Sequence, residues 1–232
     1  MNEYVYSSGS QPSFNKYIAK VFGLMFMGLM VTALSAFFTY ASGLWMMFVR
    51  SGFMMFVPMI VEVGIVMFMS ARLHTMTKGG SIAAFMLYSL VTGITFSTYL
   101  LVFGGAKIFI AFAFTAIVFG CMAIIGLTTT LDLSKYSSMF RVGLISLIVG
   151  GIFNMFASIS MFDFVLCYAG LFIFLGLTAY DMQTLRTYYQ NSMYDDDLSH
   201  KLAVMAALNL YLDFINIFVH VLSILARNQQ DN

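Results

Sequence analysis

Seven long stretches of this chain are almost free of charged side chains, and each is long enough to cross a bilayer as a helix. They are residues 21–40, 52–71, 81–106, 108–131, 142–162, 164–189 and 202–226. A spanning helix needs about 20 mostly apolar residues. Because 61% of the chain is hydrophobic and 9% is charged, a soluble fold could not bury this much apolar surface. The sequence therefore predicts an all-α integral membrane protein with seven transmembrane helices.

The apolar stretches follow one another closely, so we expect one domain. Only Lys107 separates the third stretch from the fourth, and the glycines at 104 and 105 supply a turn there. The domain is expected to cover residues 17–228, between a flexible polar tail at 1–16 and a short tail at 229–232. The first stretch is too long for a cleavable signal peptide, and no A-x-A site follows it.

The positions of lysine and arginine predict the orientation. With the N-terminus inside, eight of the 11 basic residues lie in inner segments and three in outer ones. The inner set is Lys16, Lys20, Arg72, Lys78, Lys135, Arg141, Arg186 and Lys201, and the outer set is Arg50, Lys107 and Arg227. Cytoplasmic loops carry an excess of Lys and Arg. An odd number of spans then places the C-terminus outside.

Three acidic residues, Glu62, Asp181 and Asp213, interrupt these apolar stretches. A charge inside the bilayer is costly, so it usually faces the interior of a helix bundle and marks an ion pathway or a switch. At about 1.5 Å per residue, Glu62 lies about 15 Å above Arg72 at the inner end of its helix. Asp213 lies at a similar depth. The spacing permits Asp181 and Asp213 to meet but does not require it.

Polar residues form a stripe on the seventh predicted helix. Asn209, Asp213, Asn216 and His220 fall at offsets −4, 0, +3 and +7, which places them on one face. The sixth helix has a weaker stripe that includes Thr178. Two facing stripes could line a hydrated path. The alternative is a structural role, in which such polar contacts hold helices together at about 1 kcal/mol each, with His220 as a structural histidine.

Two carboxylates held close together cannot both ionise comfortably, so one keeps its proton and the pair titrates as a unit. Arg72 offers Asp181 a competing partner. The hypothesis is a two-state switch in which Asp181 either pairs with Arg72 or shares a proton with Asp213, and acid favours the second state. Glu62 could add oxygen ligands to the two aspartates for calcium, which prefers carboxylates, carbonyls and water.

Three segments resemble one family. They are residues 174–185 (FLGLTAYDMQTL), 207–216 (ALNLYLDFIN) and 85–93 (FMLYSLVTG). They are similar to the signature segments of the Bax inhibitor-1 (transmembrane Bax inhibitor motif) family, most closely to its bacterial branch. The likeness extends from about residue 17 to residue 227.

The resemblance implies a fold in which six helices surround a seventh, and a pH-sensitive calcium leak governed by two aspartates. Those positions are Asp181 and Asp213 here, while the family's latch arginine corresponds to Arg72 and its acidic neighbour to Glu62. The bacterial likeness and the lack of a KDEL signal favour a bacterial inner membrane. The expected partners are the lipid bilayer, calcium and protons, and no other cofactor is expected.

Two other functions stay open. Some family members are described as modulators of other membrane proteins, so this chain could be a non-transporting regulator that binds such partners.

Paired aspartates also occur in intramembrane aspartyl proteases, and Tyr180-Asp181 matches half of that signature. The GxGD motif is absent at Asp213, so we expect no enzyme activity. No basic cluster suggests nucleic-acid binding. A leak would be lost with either aspartate changed to Asn, whereas a pure regulator would tolerate both changes.

Overall fold

The computed structural model of the chain describes residues 13–50, 56–73 and 75–227, and over these ranges the fold is all-α with no strand. A short 3-10 helix, Leu133–Tyr136, precedes α5. The α-helices are α1 (Phe14–Ala41), α2 (Trp45–Arg50), α3 (Phe56–Arg72), α4 (Lys78–Thr128), α5 (Ser137–Ala157), α6 (Ser160–Asn191) and α7 (Asp196–Arg227). The predicted all-α fold class is confirmed for these residues. The predicted tails at 1–12 and 229–232 lie outside the described residues, and residues 14–16, predicted as tail, are already helical.

Helix α4 reverses direction at Gly104. This residue has a φ of +73° and breaks the helical geometry, a conformation that glycine adopts without a Cβ clash. Phe96, before the break, and Phe112, after it, both contact Phe218. In a straight helix those two phenylalanines would be about 24 Å apart. The turn predicted at the two glycines therefore exists, and α4 consists of two antiparallel helical runs.

Among the residues that the structure describes, five helical segments are long and apolar enough to cross a membrane. They are α1, α4, α5 with its preceding 3-10 helix, α6 and α7. The reversal at Gly104 divides α4 into two runs, each of bilayer length. Helix α3 has 17 described residues, which is the lower limit for a span. The chain is a membrane protein with an all-α fold, and the count of seven spans stays a prediction.

Helix α7 forms the centre of the described fold. In its most apolar stretch 61% of the residues are buried, against 6–33% in the other long helices. It packs against α1, both runs of α4, and α6. Helices α3 and α5 form no comparable interface with it in the described part of the chain. The central position agrees with the predicted arrangement, although α3 packs mainly on α4 and α5 mainly on α6.

Glycines let the helices approach closely at two places. A Cβ on Gly93 would lie 2.5 Å from the Thr32 carbonyl oxygen, and a Cβ on Gly126 would lie 2.4 Å from the Ala179 carbonyl oxygen. Small residues at helix interfaces are typical of membrane proteins because they allow the backbones to come together. Gly126 thereby fixes the position of the α6 turn next to Asp181.

The boundary between α5 and α6 differs from the prediction, which placed it at Asp163. Helix α5 ends at Ala157, Ser158 has a φ of +50°, and α6 begins at Ser160. Asp163 lies in the first turn of α6 and forms an ion pair with Arg227 at the end of α7. An acidic side chain is favourable at a helix N-terminus because of the helix dipole. The charge therefore marks the start of the helix and not the gap before it.

Three consecutive aspartates, residues 195–197, stand at the start of α7, and each has a partner in the structure. The Asp195 carboxylate accepts a hydrogen bond from the Leu198 N–H, as a helix cap. Asp196 pairs with Lys78 of α4 at 2.6 Å, and Asp197 pairs with Lys201 at 2.5 Å. The Lys78–Asp196 pair holds the starts of α4 and α7 together at one end of the bundle, whereas the other two contacts stabilise the first turns of α7.

Candidate functional site

A cavity of about 670 Å³ lies between α3, α5, α6 and α7. Most of its wall is apolar, formed by Met, Val, Leu and Phe side chains. Its polar lining is Glu62, Tyr88, Asp181, Asn209, Asp213, Asn216 and His220. The fold therefore brings together six of the eight predicted site residues, which come from three different helices. No Lys or Arg is among the described residues that line the cavity.

Asp181 of α6 and Asp213 of α7 are neighbours in this cavity. Their carboxyl groups are close enough to interact electrostatically. Only 4% of Asp213 is exposed, and its Oδ2 atom has no hydrogen-bond partner among the described residues. A buried polar atom without a partner is uncommon and costs free energy. The two aspartates, which the sequence permitted to meet without requiring it, line the same cavity, and direct contact between their carboxyl groups stays a prediction.

Glu62 faces a polar face of α4. Its carboxylate accepts a hydrogen bond of 2.8 Å from the Thr95 hydroxyl, and Thr92 lies beside it. The acidic side chain in the middle of α3 is therefore directed into protein and cavity and not into lipid. This orientation is the one expected for a carboxylate inside a membrane.

The polar stripe of α7 lies along the cavity as predicted. Asn209, Asn216 and His220 all line it. The Asn216 side-chain amide donates to the Leu212 carbonyl of its own helix at 2.7 Å. The His220 ring rests on the backbone of Gly170, where an added Cβ would be 2.2 Å from Nε2. A glycine at position 170 thus makes room for the histidine at one end of the cavity.

Thr178 and Arg72 do not line the cavity. Thr178 is fully buried, donates to the Phe174 carbonyl at 2.8 Å and lies beside Asp213. Arg72 is exposed at the end of α3, and its backbone carbonyl accepts a hydrogen bond from the Thr75 hydroxyl. It forms no ion pair with any described residue. The predicted pairing of Arg72 with Asp181 is therefore absent in this conformation.

The structure does not present a formed metal site in its described part. No three side chains from His, Cys, Asp and Glu come together there closely enough to hold an ion. Glu62 shares the cavity with the aspartates, but its hydrogen bond is to Thr95 of α4. The calcium-ligand set of Glu62, Asp181 and Asp213 stays a prediction.

Sequence reasoning missed the polar face of α4 that meets Glu62. Tyr88, Thr92 and Thr95 occur at offsets 0, +4 and +7, the spacing of one helix face. Tyr88 also contacts Tyr211 of α7, with ring centroids 5.8 Å apart. The signal was present in the sequence, but these residues are uncharged and common in membrane helices.

The fold and this site define a class: an all-helical membrane protein with an acidic cavity beside its central helix. A family model described as "Inhibitor of apoptosis-promoting Bax1" matches residues 14–231. The chain is 37% identical over 218 residues to an uncharacterized protein of Borreliella burgdorferi, covering 94% of each chain. It is 34% identical over 210 residues to the inner membrane protein YbhL of Escherichia coli strain K12, covering 90% of each chain.

This chain belongs to the Bax inhibitor-1 family. The match covers all described helices, including the segments around Asp181 and Asp213 from which the resemblance was inferred. These relatives carry no stated activity in their names. Family membership is thus established.

Proposed function

We propose that this protein is a pH-sensitive calcium leak channel with seven transmembrane helices. In this proposal α3 spans the membrane, and the two runs of α4 are two separate transmembrane helices. The protein conducts calcium and protons, needs no other cofactor and is not an enzyme. The relative named as an inner membrane protein in Escherichia coli supports a bacterial cytoplasmic membrane. The proposed orientation places the N-terminus inside and the C-terminus outside.

The observation that carries the proposal is the cavity beside α7. It brings Glu62, Asp181 and Asp213 into one space, which Asn209 and Asn216 also line. Calcium is bound by oxygen ligands with flexible geometry. A conducting site must bind the ion weakly enough to release it. Carboxylates that share a cavity without forming a closed cage suit that requirement.

The proposed gate is the aspartate pair. Two neighbouring carboxyl groups in a poorly hydrated site share a proton, and removal of that proton leaves a second negative charge that needs a cation. Arg72 is the proposed cation, and it would reach Asp181 only after a movement of α3. The exposed position of Arg72, outside the cavity that Asp181 and Asp213 line, supports a switch in which Arg72 is released from the aspartates in one of the two states.

The experiment is calcium flux into dye-loaded liposomes that contain the purified full-length chain, measured over a pH series. The wild type is expected to show flux that changes with pH, and Asp213→Asn is expected to remove that dependence. Asp132→Asn is the matched control because Asp132 lies in the loop after α4, outside the cavity. Flux equal to that of empty liposomes at every pH would contradict the proposal and favour a regulator that acts by binding other membrane proteins.

A further inference from the structure

The acidic cavity has the dimensions and chemistry of a small-molecule site. Ligand pockets typically measure about 300–1,000 Å³ and combine apolar walls with a few polar groups, and this cavity of about 670 Å³ is within that range. Its apolar wall includes Val66, Leu147, Phe174 and Leu212. Its charged groups are acidic. A ligand that matches the cavity therefore has an apolar body and a positive charge.

One oxygen atom in the cavity lacks a partner. Asp213 is almost fully buried, yet its Oδ2 accepts no hydrogen bond from the described residues. Leaving a buried acceptor without a donor is costly, more so when the group is charged. An ammonium group has three N–H donors and a full positive charge. It would satisfy this oxygen and also lie near Asp181.

The cavity is open toward the surrounding lipid. Met59, Val63 and Met67 of α3 line it although 56%, 53% and 66% of these residues, respectively, are exposed. Ile148 of α5 also lines it and is 56% exposed. Helix α3 packs on α4 and α5 packs on α6, and the two form no comparable interface with each other in the described part of the chain. The gap between α3 and α5 is an apolar route from the bilayer.

We propose that this cavity binds amphiphilic amines, which reach it from the bilayer between α3 and α5. The ammonium contacts Asp213, and the apolar body lies against the walls that α3 and α5 provide. A neutral apolar molecule would leave the carboxyl groups without a partner, and an anion would be repelled. This inference goes beyond the proposed channel function and does not depend on it, because amine binding can be measured where no flux occurs.

The test is equilibrium binding of tritiated adamantan-1-amine to the full chain in lipid nanodiscs, with empty nanodiscs as background. Adamantan-1-ol, a neutral molecule of nearly the same shape, serves as competitor. We expect saturable binding that unlabelled amine displaces and the alcohol displaces at least tenfold less effectively. Asp213→Asn should weaken binding at least tenfold, whereas Asp132→Asn should bind as the wild type does.

A second variant tests the access route without touching a carboxylate. Val63→Trp adds bulk at an exposed position of the cavity wall, so it should slow association or lower the bound amount at least threefold. Ile117→Trp, at a lipid-exposed position of α4 away from the cavity, should have no effect. The inference is overturned if no saturable binding occurs, if the alcohol competes equally, or if Asp213→Asn and Val63→Trp both bind as the wild type does. Binding without calcium flux would contradict the channel proposal alone.

Discussion

The hydroxyl oxygens of Thr32 in α1 and Tyr211 in α7 lie 2.6 Å apart in the buried centre of the protein. Thr32 also contacts the carbonyl oxygens of Gly28 and Ser89 as a donor. A threonine hydroxyl has one proton, so Tyr211 acts as the donor to Thr32 when Thr32 donates to a carbonyl. This contact fixes α7 against α1 and α4 two residues before Asp213.

The Thr32–Tyr211 contact predicts a specific loss of stability. Tyr211→Phe removes the donor while keeping the ring that packs on Phe85 and Tyr88. The free energy of unfolding should fall by about 1 kcal/mol, the net value of a typical buried hydrogen bond. Thermal unfolding in detergent measures the change. Tyr194→Phe is the matched control because Tyr194 is 95% exposed, and an equal effect of both variants would contradict the assignment.

The close approach at Gly126 predicts a packing defect between α4 and α6. Gly126→Ala would place a Cβ 2.4 Å from the Ala179 carbonyl oxygen, a backbone atom that cannot move alone. Overpacking of this kind costs about 1–3 kcal/mol. A Cβ on Gly120, in the same helical run, would have no atom within 4 Å. Gly120→Ala should therefore leave the thermal midpoint unchanged or raise it, and a similar drop in both variants would count against the α4–α6 interface described above.

The segment between α4 and α5 contains an aspartate whose pKa can be measured directly. The hydroxyl and the N–H of Ser134 donate to the Asp132 carboxylate at 2.5 and 3.1 Å, and these hydrogen bonds lower the pKa of Asp132 below its ordinary value. A lowered pKa means that the stabilisation is complete above the unfolded-state pKa of about 3.9 and is lost as the pH falls through the folded-state pKa.

Carbon-13 NMR of labelled aspartate in detergent checks the Asp132 pKa, with Asp132→Asn to assign the signal. Ser134→Ala should move the pKa upward because it removes the hydroxyl donor. No upward movement in that variant would show that the Ser134 hydroxyl does not lower the pKa.

The sequence predicted the parts of the fold that depend on hydrophobicity and on glycine. The apolar stretches became helices, and the turn at Gly104 lies where the glycine pair placed it. The α5–α6 boundary was wrong because charge was used to mark the gap, whereas Asp163 belongs to the first turn of α6. A helix dipole and a cation on another helix both favour that position, and neither can be read from a local pattern.

The sequence predicted most of the residues that line the candidate site, but not the contacts that these residues make with other helices. Helical spacing placed Asn209, Asp213, Asn216 and His220 on one face of the helix, and in the structure all four residues line the cavity. Spacing alone could not show that Thr95 would bind Glu62, because that contact joins two helices whose relative rotation depends on packing. The sequence also could not predict where the Arg72 side chain lies, because a long flexible side chain at a helix end can point to water or to protein.

The hydrogen bond from Thr95 to Glu62 predicts that substitutions at the two residues lower the calcium flux to different extents. Glu62→Gln removes the charge and should lower the flux strongly if Glu62 contributes an oxygen to the pathway. Thr95→Val removes only the hydrogen bond and should change the flux less than Glu62→Gln does. The dye-loaded liposome assay compares the two at one pH. A larger effect of Thr95→Val than of Glu62→Gln would mean that the packing of α3 on α4 matters, and not the carboxylate.

The measurement that tests the central claim most directly is a double-mutant cycle on the pH dependence of calcium flux. It compares the wild type with Asp181→Asn, Asp213→Asn and the double variant in the same liposomes. If the two carboxyl groups act as one gate, each single variant should remove the pH dependence and the double variant should add nothing further. Effects that simply add, or a single variant with an unchanged pH profile, would contradict the account.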